Sequence, residues 1–137
     1  MSHATPFRIR RLAAGDVALF RELLATFGEA FGDKDTYTAA QPGAAYLEKL
    51  LGSDYFIALA ALEGDAVIGG PAAYELRKFE RERNEIYIYD LAVAAEHRRR
   101  GIATGLIEHL RYAGGGARGL GDLRSGRSCR CPGDQVL

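Results

Sequence analysis

Asp90-Leu-Ala-Val-Ala-Ala-Glu-His-Arg-Arg-Arg-Gly-Ile-Ala-Thr104 joins an apolar strand, Glu85–Val93, to a helix with apolar residues at helical spacing, Ile102–Leu110. Between them stands Arg98-Arg99-Arg100-Gly101-Ile102-Ala103, an Arg-x-x-Gly-x-Ala pattern. A loop of small and basic residues at a strand-to-helix junction turns backbone N–H groups outward, and the positive end of the helix dipole adds to them. Gly101 lets the backbone approach a ligand without a Cβ in the way. The three arginines add attraction for phosphate. The stretch therefore predicts a pyrophosphate site, the plainer reading of three consecutive arginines being a solvated basic face.

Working outward, Phe7–Leu12 alternates as a first strand. Asp16 is placed to cap a helix carrying Leu19, Phe20, Leu23, Leu24, Phe27 and Phe31 at three- and four-residue spacing, ended by Gly32-Asp33. A polar loop with Gln41-Pro42-Gly43 leads to a short helix, Ala45–Leu51. Asp54–Leu62 is a nearly all-apolar strand, Glu63-Gly64-Asp65 a hairpin turn, and Ala66–Leu76 the partner strand. Gly69-Gly70-Pro71 within that partner suggests a bulge or an edge. The order is β-α-α-β-β-β-α.

The Arg-x-x-Gly-x-Ala pattern after a strand ending Asp90-Leu-Ala-Val93 resembles motif A of the GNAT superfamily, the GCN5-related N-acetyltransferases. Phe31-Gly-Asp-Lys-Asp-Thr-Tyr37, Gln41-Pro42, Phe56-Ile-Ala-Leu-Ala-Ala61, Lys78-Phe-Glu80 and Ile86-Tyr-Ile-Tyr-Asp-Leu-Ala-Val93 resemble the class I aminoglycoside 3-N-acetyltransferases. The resemblance spans residues 7–112. It implies an α/β protein with a mixed sheet, the GNAT acyl-CoA N-acyltransferase fold, and acetyl-CoA as co-substrate with no metal. The activity implied is acetyl transfer to the 3-amino group of an aminoglycoside, conferring antibiotic resistance.

The same resemblance assigns roles. Backbone amides of Arg99, Arg100, Gly101, Ile102, Ala103 and Thr104 hold the pyrophosphate, with the Arg98 side chain near it. The pantetheine lies beside Leu91, Ala92 and Val93, where a strand bulge frees backbone amides that also polarise the thioester carbonyl. An aliphatic amine is protonated at neutral pH, so a base must take its proton, and Asp90 is the first candidate. In a regular strand Asp90 shares a face with Ile86, Ile88 and Ala92, where a carboxylate is costly to bury. Either a bulge turns it into the cleft or it is paired. Glu85, at the strand start, is the weaker candidate and reads as solvent-facing. A polycationic substrate calls for carboxylates, so Asp33, Asp35, Glu80, Glu82 and Glu85 are candidate substrate contacts. Tyr37, Tyr87 and Tyr89 are candidates to pack on sugar rings, the latter two also reading as ordinary strand-face residues.

After Tyr112 the character changes: seven of the 17 glycines fall beyond residue 110, and no apolar run longer than two residues follows. Residues 5–112 therefore read as an incomplete acetyltransferase core, and residues 113–137 as a Gly/Arg-rich tail without the C-terminal strands and helix of the family. One permitted coding of Gly119–Ser128, read from its second nucleotide, gives Gly-Trp-Val-Ile-Phe-Val-Gln-Ala-Asp, an apolar strand of the kind expected there. A truncated or frameshifted C-terminus is one account of the tail, and a genuine short form with disordered residues is the other. GNAT enzymes commonly protonate the leaving thiolate from a tyrosine in the later C-terminal helix, and no tyrosine follows Tyr112. The strand Glu85–Val93 is expected to be left as an exposed apolar edge, and turnover is expected to be weak or absent. A non-catalytic CoA-binding remnant, or an acetyltransferase for another small amine or a protein amine, is the alternative.

Composition narrows the rest. Residues 1–110 hold 13 Lys and Arg against 16 Asp and Glu, and residues 111–137 hold five Arg against two Asp. An acidic body argues against nucleic acid and suits a cationic partner. Cys129 and Cys131 stand two apart, while His3, His97 and His109 are scattered, which excludes an evident metal site. No segment has the length of a membrane span or a signal-peptide core, so a cytoplasmic protein without membrane partners is expected, with a homodimer as a family habit.

Overall fold

The computed structural model describes residues 6–112 and the backbone of residues 122–125. A five-stranded sheet runs in the order β1 (Arg8–Arg11), β2 (Phe56–Glu63), β3 (Ala66–Arg77), β4 (Asn84–Val93) and β5 (Asp122–Ser125). The first four strands are antiparallel neighbours, and β5 lies parallel to β4. Helices α1 (Val17–Phe31) and α2 (Ala44–Leu51) cover one face, and α3 (Ile102–Arg111) covers the other.

That layering explains the sequence of β2. Its alternate residues Phe56, Ala58, Ala60 and Leu62 pack on Phe20, Leu23 and Phe27 of α1 and Leu47 and Leu51 of α2. Ile57, Leu59 and Ala61 point the other way, onto Ile102, Leu106 and Leu110 of α3. A strand buried on both faces must be apolar throughout. Each large side chain sealed here contributes about 1.5–3 kcal/mol. Helix α1 ends at Gly32 in the left-handed conformation, φ +65°, which closes the last turn as expected.

Gly69-Gly70-Pro71 is not an edge, and the expected bulge falls at its start: Ala61 pairs with Gly69 and Leu62 with Val67, leaving Ile68 extra in β3. The triplet lies in the interior of the sheet, opposite Leu91–Val93, with irregularities at Ala61/Leu62 and Ala72/Ala73 on either side. A Cβ on Gly70 would stand 2.0 Å from the Leu59 carbonyl oxygen and 3.1 Å from Leu23 Cδ1. Glycine is there because neighbouring backbone and α1 occupy the side-chain space.

The second irregularity shapes the site. Ala72 pairs with Asp90 and Ala73 with Ile88, so Tyr89 is an extra residue in β4. A bulge of this kind resets the alternation of side chains. Ile86 and Ile88 pack with α3 before it, and Leu91 and Val93 pack with α3 after it. Asp90 thereby leaves the face of Ile86 and Ile88 and joins Ala92 on the α1 side.

Two further expectations are corrected. Asp16 makes no side-chain cap on α1; its carboxylate accepts from Arg10 Nη2 at 2.7 Å and from the Ala13 N–H at 2.8 Å, tying β1 to the turn before the helix. Strand β4 is not left wholly bare, because β5 pairs with Glu85–Ile88, a segment too short and polar to show as a strand in the sequence. Residues 113–121 and 126–137, and with them the rest of the tail expectations, lie outside the described residues.

Candidate active site

Among the described residues, strand β5 accompanies β4 as far as Ile88, immediately before the bulge at Tyr89. From Tyr89 to Val93 that edge of β4 has no paired strand among the described residues. Asp90 stands in this stretch, half-buried, and accepts a hydrogen bond from the Tyr37 hydroxyl at 2.8 Å. The dilemma raised by its position is answered twice over: the bulge turns it, and a hydroxyl pairs it.

Tyr37 comes from a π-helical turn, Asp35–Ala39, inside what the sequence shows only as a polar loop. Its ring meets Phe27 and Phe31 of α1 at centroid distances of 5.7 and 5.9 Å. Its carbonyl accepts from Gln41 Nε2 at 3.1 Å, and Gln41 Oε1 accepts from Arg21 Nη1 of α1 at 2.8 Å. Asp33 holds the start of the turn, accepting from the Thr36 hydroxyl at 2.8 Å. Gly28 lets the turn seat closely, since a Cβ there would lie 3.1 Å from Lys34 Cα.

Along the same sheet face runs a row of aromatic rings. Phe56 and Tyr74 are 5.1 Å apart, Tyr74 and Tyr89 6.0 Å, and Tyr89 and Tyr87 6.3 Å. Tyr89 is 45% exposed and offers its ring to the surface beside Asp90. Burial pushes the Tyr74 phenol above its ordinary value, with Tyr46, Tyr89 and Tyr55 adding to the rise.

The remaining carboxylates are dispersed. Glu85 is 8% exposed rather than solvent-facing, because the strand buries it on the Tyr87 side and Arg83 pairs with it at 2.5 Å. Glu80 is within 4.0 Å of Lys78 Nζ on the exposed β3–β4 connection, which also carries Glu82. Asp35 is exposed on the Tyr37 turn. Thus Tyr37, Asp33 and Asp35 come to the Asp90 side of the sheet, whereas Glu80, Glu82 and Glu85 gather at the opposite end of β4.

The loop before α3 has the backbone of an anion cradle. Arg99 and Gly101 are both left-handed, φ +67° and +79°. Gly105 N–H donates to the Gly101 carbonyl at 3.0 Å as the first helical bond, so the amides of Ile102, Ala103 and Thr104 in the first turn lack intrahelical acceptors. Ile102 is buried and anchors the helix, while Ala103 and Thr104 are exposed. Leu91, Ala92 and Val93 bury their side chains and present backbone at the open edge of β4.

The arginines divide their labour. Arg98 Nε donates to the Val93 carbonyl at 3.0 Å, folding the loop back on β4, and Arg99 is exposed. Arg100 turns inward: Nη1 donates to Glu63 Oε2 at 3.1 Å and to His97 Nδ1 at 2.7 Å, with the guanidinium 5.9 Å from the Phe7 ring centroid. Arginine has no acceptor, so Nδ1 of His97 must be the accepting nitrogen. No pattern in the sequence signals this cluster, because Glu63 reads there as part of the hairpin turn, whereas it is the last residue of β2.

No group of His, Cys, Asp and Glu among the described residues is arranged to hold a metal ion, and no helix there is long and apolar enough to cross a membrane.

Comparison with known proteins bears on this geometry. The acetyltransferase (GNAT) family profile matches residues 17–120. The chain is similar to an aminoglycoside acetyltransferase from an uncultured soil metagenomic sample, at 59% identity over 88% of this chain and 79% of the other, TM-score 0.84. A second soil metagenomic aminoglycoside acetyltransferase, solved in complex with sisomicin, is 30% identical over 88% of this chain and 76% of its own, TM-score 0.77. A ribosomal-protein-alanine N-acetyltransferase from Brucella melitensis biovar Abortus 2308 is 25% identical, covering 89% of this chain and 81% of its own, TM-score 0.63. Among curated proteins no sequence matches.

Proposed function

Since the chain belongs to the GNAT family of acetyltransferases, we propose that it transfers the acetyl group of acetyl-CoA to the 3-amino group of an aminoglycoside, with Asp90 as the base. The observation that carries this reading is the bulge at Tyr89, which sets Asp90 in the part of β4 that has no paired strand among the described residues, leading directly into the Arg98–Thr104 loop. The aminoglycoside acetyltransferase at 59% identity supports the substrate class.

The chemistry divides among residues already placed. First-turn amides of α3 and the left-handed loop bind the pyrophosphate. Backbone at Tyr89–Val93 receives the pantetheine and offers an N–H to the thioester oxygen as it gains charge. Asp90 takes a proton from the substrate ammonium, and the nitrogen lone pair attacks the carbonyl carbon. Collapse of the tetrahedral adduct breaks the C–S bond, and the departing thiolate takes up the second proton that the nitrogen gives up on becoming an amide. Asp33 and Asp35, beside Tyr37, favour a polycation on this side, and the exposed face of Tyr89 suits a sugar ring.

The test is release of free thiol from acetyl-CoA by the purified protein, with and without gentamicin. Release that depends on the drug, with the acetyl group found on the 3-nitrogen, is expected. Folded protein that binds acetyl-CoA and shows no drug-dependent release would overturn the proposal, and acetylation at another nitrogen would overturn its regiochemistry.

A further inference from the structure

We infer that Tyr37 is a positioning residue for the reaction: its hydroxyl orients the Asp90 carboxylate and stabilises its ionised form. The inference rests on the acetyltransferase reading above and assigns Tyr37 a task other than packing on a sugar.

Asp90 sits where a carboxylate is at a disadvantage, on the face that also holds Ala92 and the α1 side chains. Partial burial favours the neutral acid, and a neutral acid is no base. A hydrogen bond donated to the carboxylate works in the opposite direction. The Tyr37 hydroxyl makes that bond at 2.8 Å. A carboxylate accepts from several donors at once, so this bond is compatible with a substrate ammonium on the same group.

The hydroxyl is also held in place from behind. Two rings of α1 flank Tyr37, Gln41 ties its carbonyl to Arg21, and Asp33 closes the start of its turn. Packing alone would be served by phenylalanine, which would meet Phe27 and Phe31 equally well. The extra oxygen of tyrosine donates to the base. With the turn docked, a donor tethered on both sides limits the rotation of the Asp90 side chain and keeps it ready for the incoming amine.

Tyr37→Phe isolates the hydroxyl. The expected result is a fall in kcat of about tenfold, an unchanged KM for acetyl-CoA, and an acidic limb of the kcat pH profile moved to higher pH. An NMR titration of the Asp90 carboxyl should move the same way, with or without turnover. Should Tyr37→Phe fold poorly, Gln41→Leu loosens the tether behind the ring and should produce a smaller shift of the same sign. An Asp90 titration and acidic limb unmoved in the folded variant would overturn the inference. Wild-type protein without drug-dependent thiol release overturns the proposed function instead, and leaves the NMR titration to decide the role of Tyr37.

Discussion

Arg100 donates to Glu63 across 37 residues of chain, fastening the loop in front of α3 to the last residue of β2. The ion pair is partly enclosed, with the guanidinium 17% and the carboxylate 25% exposed. Such a cation depends on its acid. Glu63→Ala should therefore loosen the loop, raising the Kd for acetyl-CoA by about tenfold, as calorimetric titration would show. An unchanged Kd would mean that the Arg98 bond to Val93 suffices to hold the cradle.

Asp90→Asn keeps the shape of the side chain and its bond from Tyr37 while removing the basic oxygen. The kcat should fall by about 10²-fold or more, with acetyl-CoA affinity unchanged. Pre-steady-state assays at several pH values would check it, because the acidic limb belonging to Asp90 should vanish together with the rate.

Gly70→Ala should be among the most damaging single changes in the sheet. Its Cβ would lie 2.0 Å from a backbone oxygen, which cannot swing aside as a flexible side chain can. A loss of about 3 kcal/mol is expected, read from urea unfolding. Gly15→Ala is the matched control: nothing lies within 4 Å of its added Cβ, and its effect should stay within about 0.5 kcal/mol.

Tyr74 ties stability to alkaline pH. Burial raises its phenol above the ordinary 10.0, so the folded state favours the neutral form. Below pH 10.0 the phenol is neutral whether folded or unfolded, and its contribution is fully present. As pH rises through the folded value, ionisation removes that contribution. Tyr74→Phe should flatten the fall of unfolding free energy above pH 10.0 and remove one phenol that ionises above the ordinary value from an ultraviolet titration.

Much of this could be read from the chain itself. The two-sided apolar run of β2, the amphipathic α1 with Gly32 behind it, and the loop at Gly101 all carry their geometry in local pattern. The bulge was present too, in a subtler form: Ile86 and Ile88 keep one parity and Leu91 and Val93 the other, which a regular strand cannot bury on a single face. The turn that carries Tyr37 left no such trace, because Asp35–Ala39 has no apolar period and is shaped by Gly28, Arg21 and Gln41 at a distance. Glu85, expected to face solvent, and the inward turn of the Arg100 side chain escape the sequence for a related reason: a charge pattern shows which residues can ionise, while burial and partners depend on neighbours elsewhere in the fold. Gly69-Gly70 was recognised as unusual, but its cause lies in Leu59 and Leu23, on two other elements.

The bond between Tyr37 and Asp90 spans 53 residues, whereas β2, β3 and β4 pair as consecutive hairpins. Closing longer loops costs more chain entropy, so the meander is favoured to assemble before the turn carrying Tyr37 docks on it. The order has a visible corollary in the finished protein. Amides of the Asp35–Ala39 turn should exchange with deuterium far sooner than those of β3. The base would then lose its partner in local openings that leave the sheet intact, and a sample could retain all its strand signal while having no assembled site.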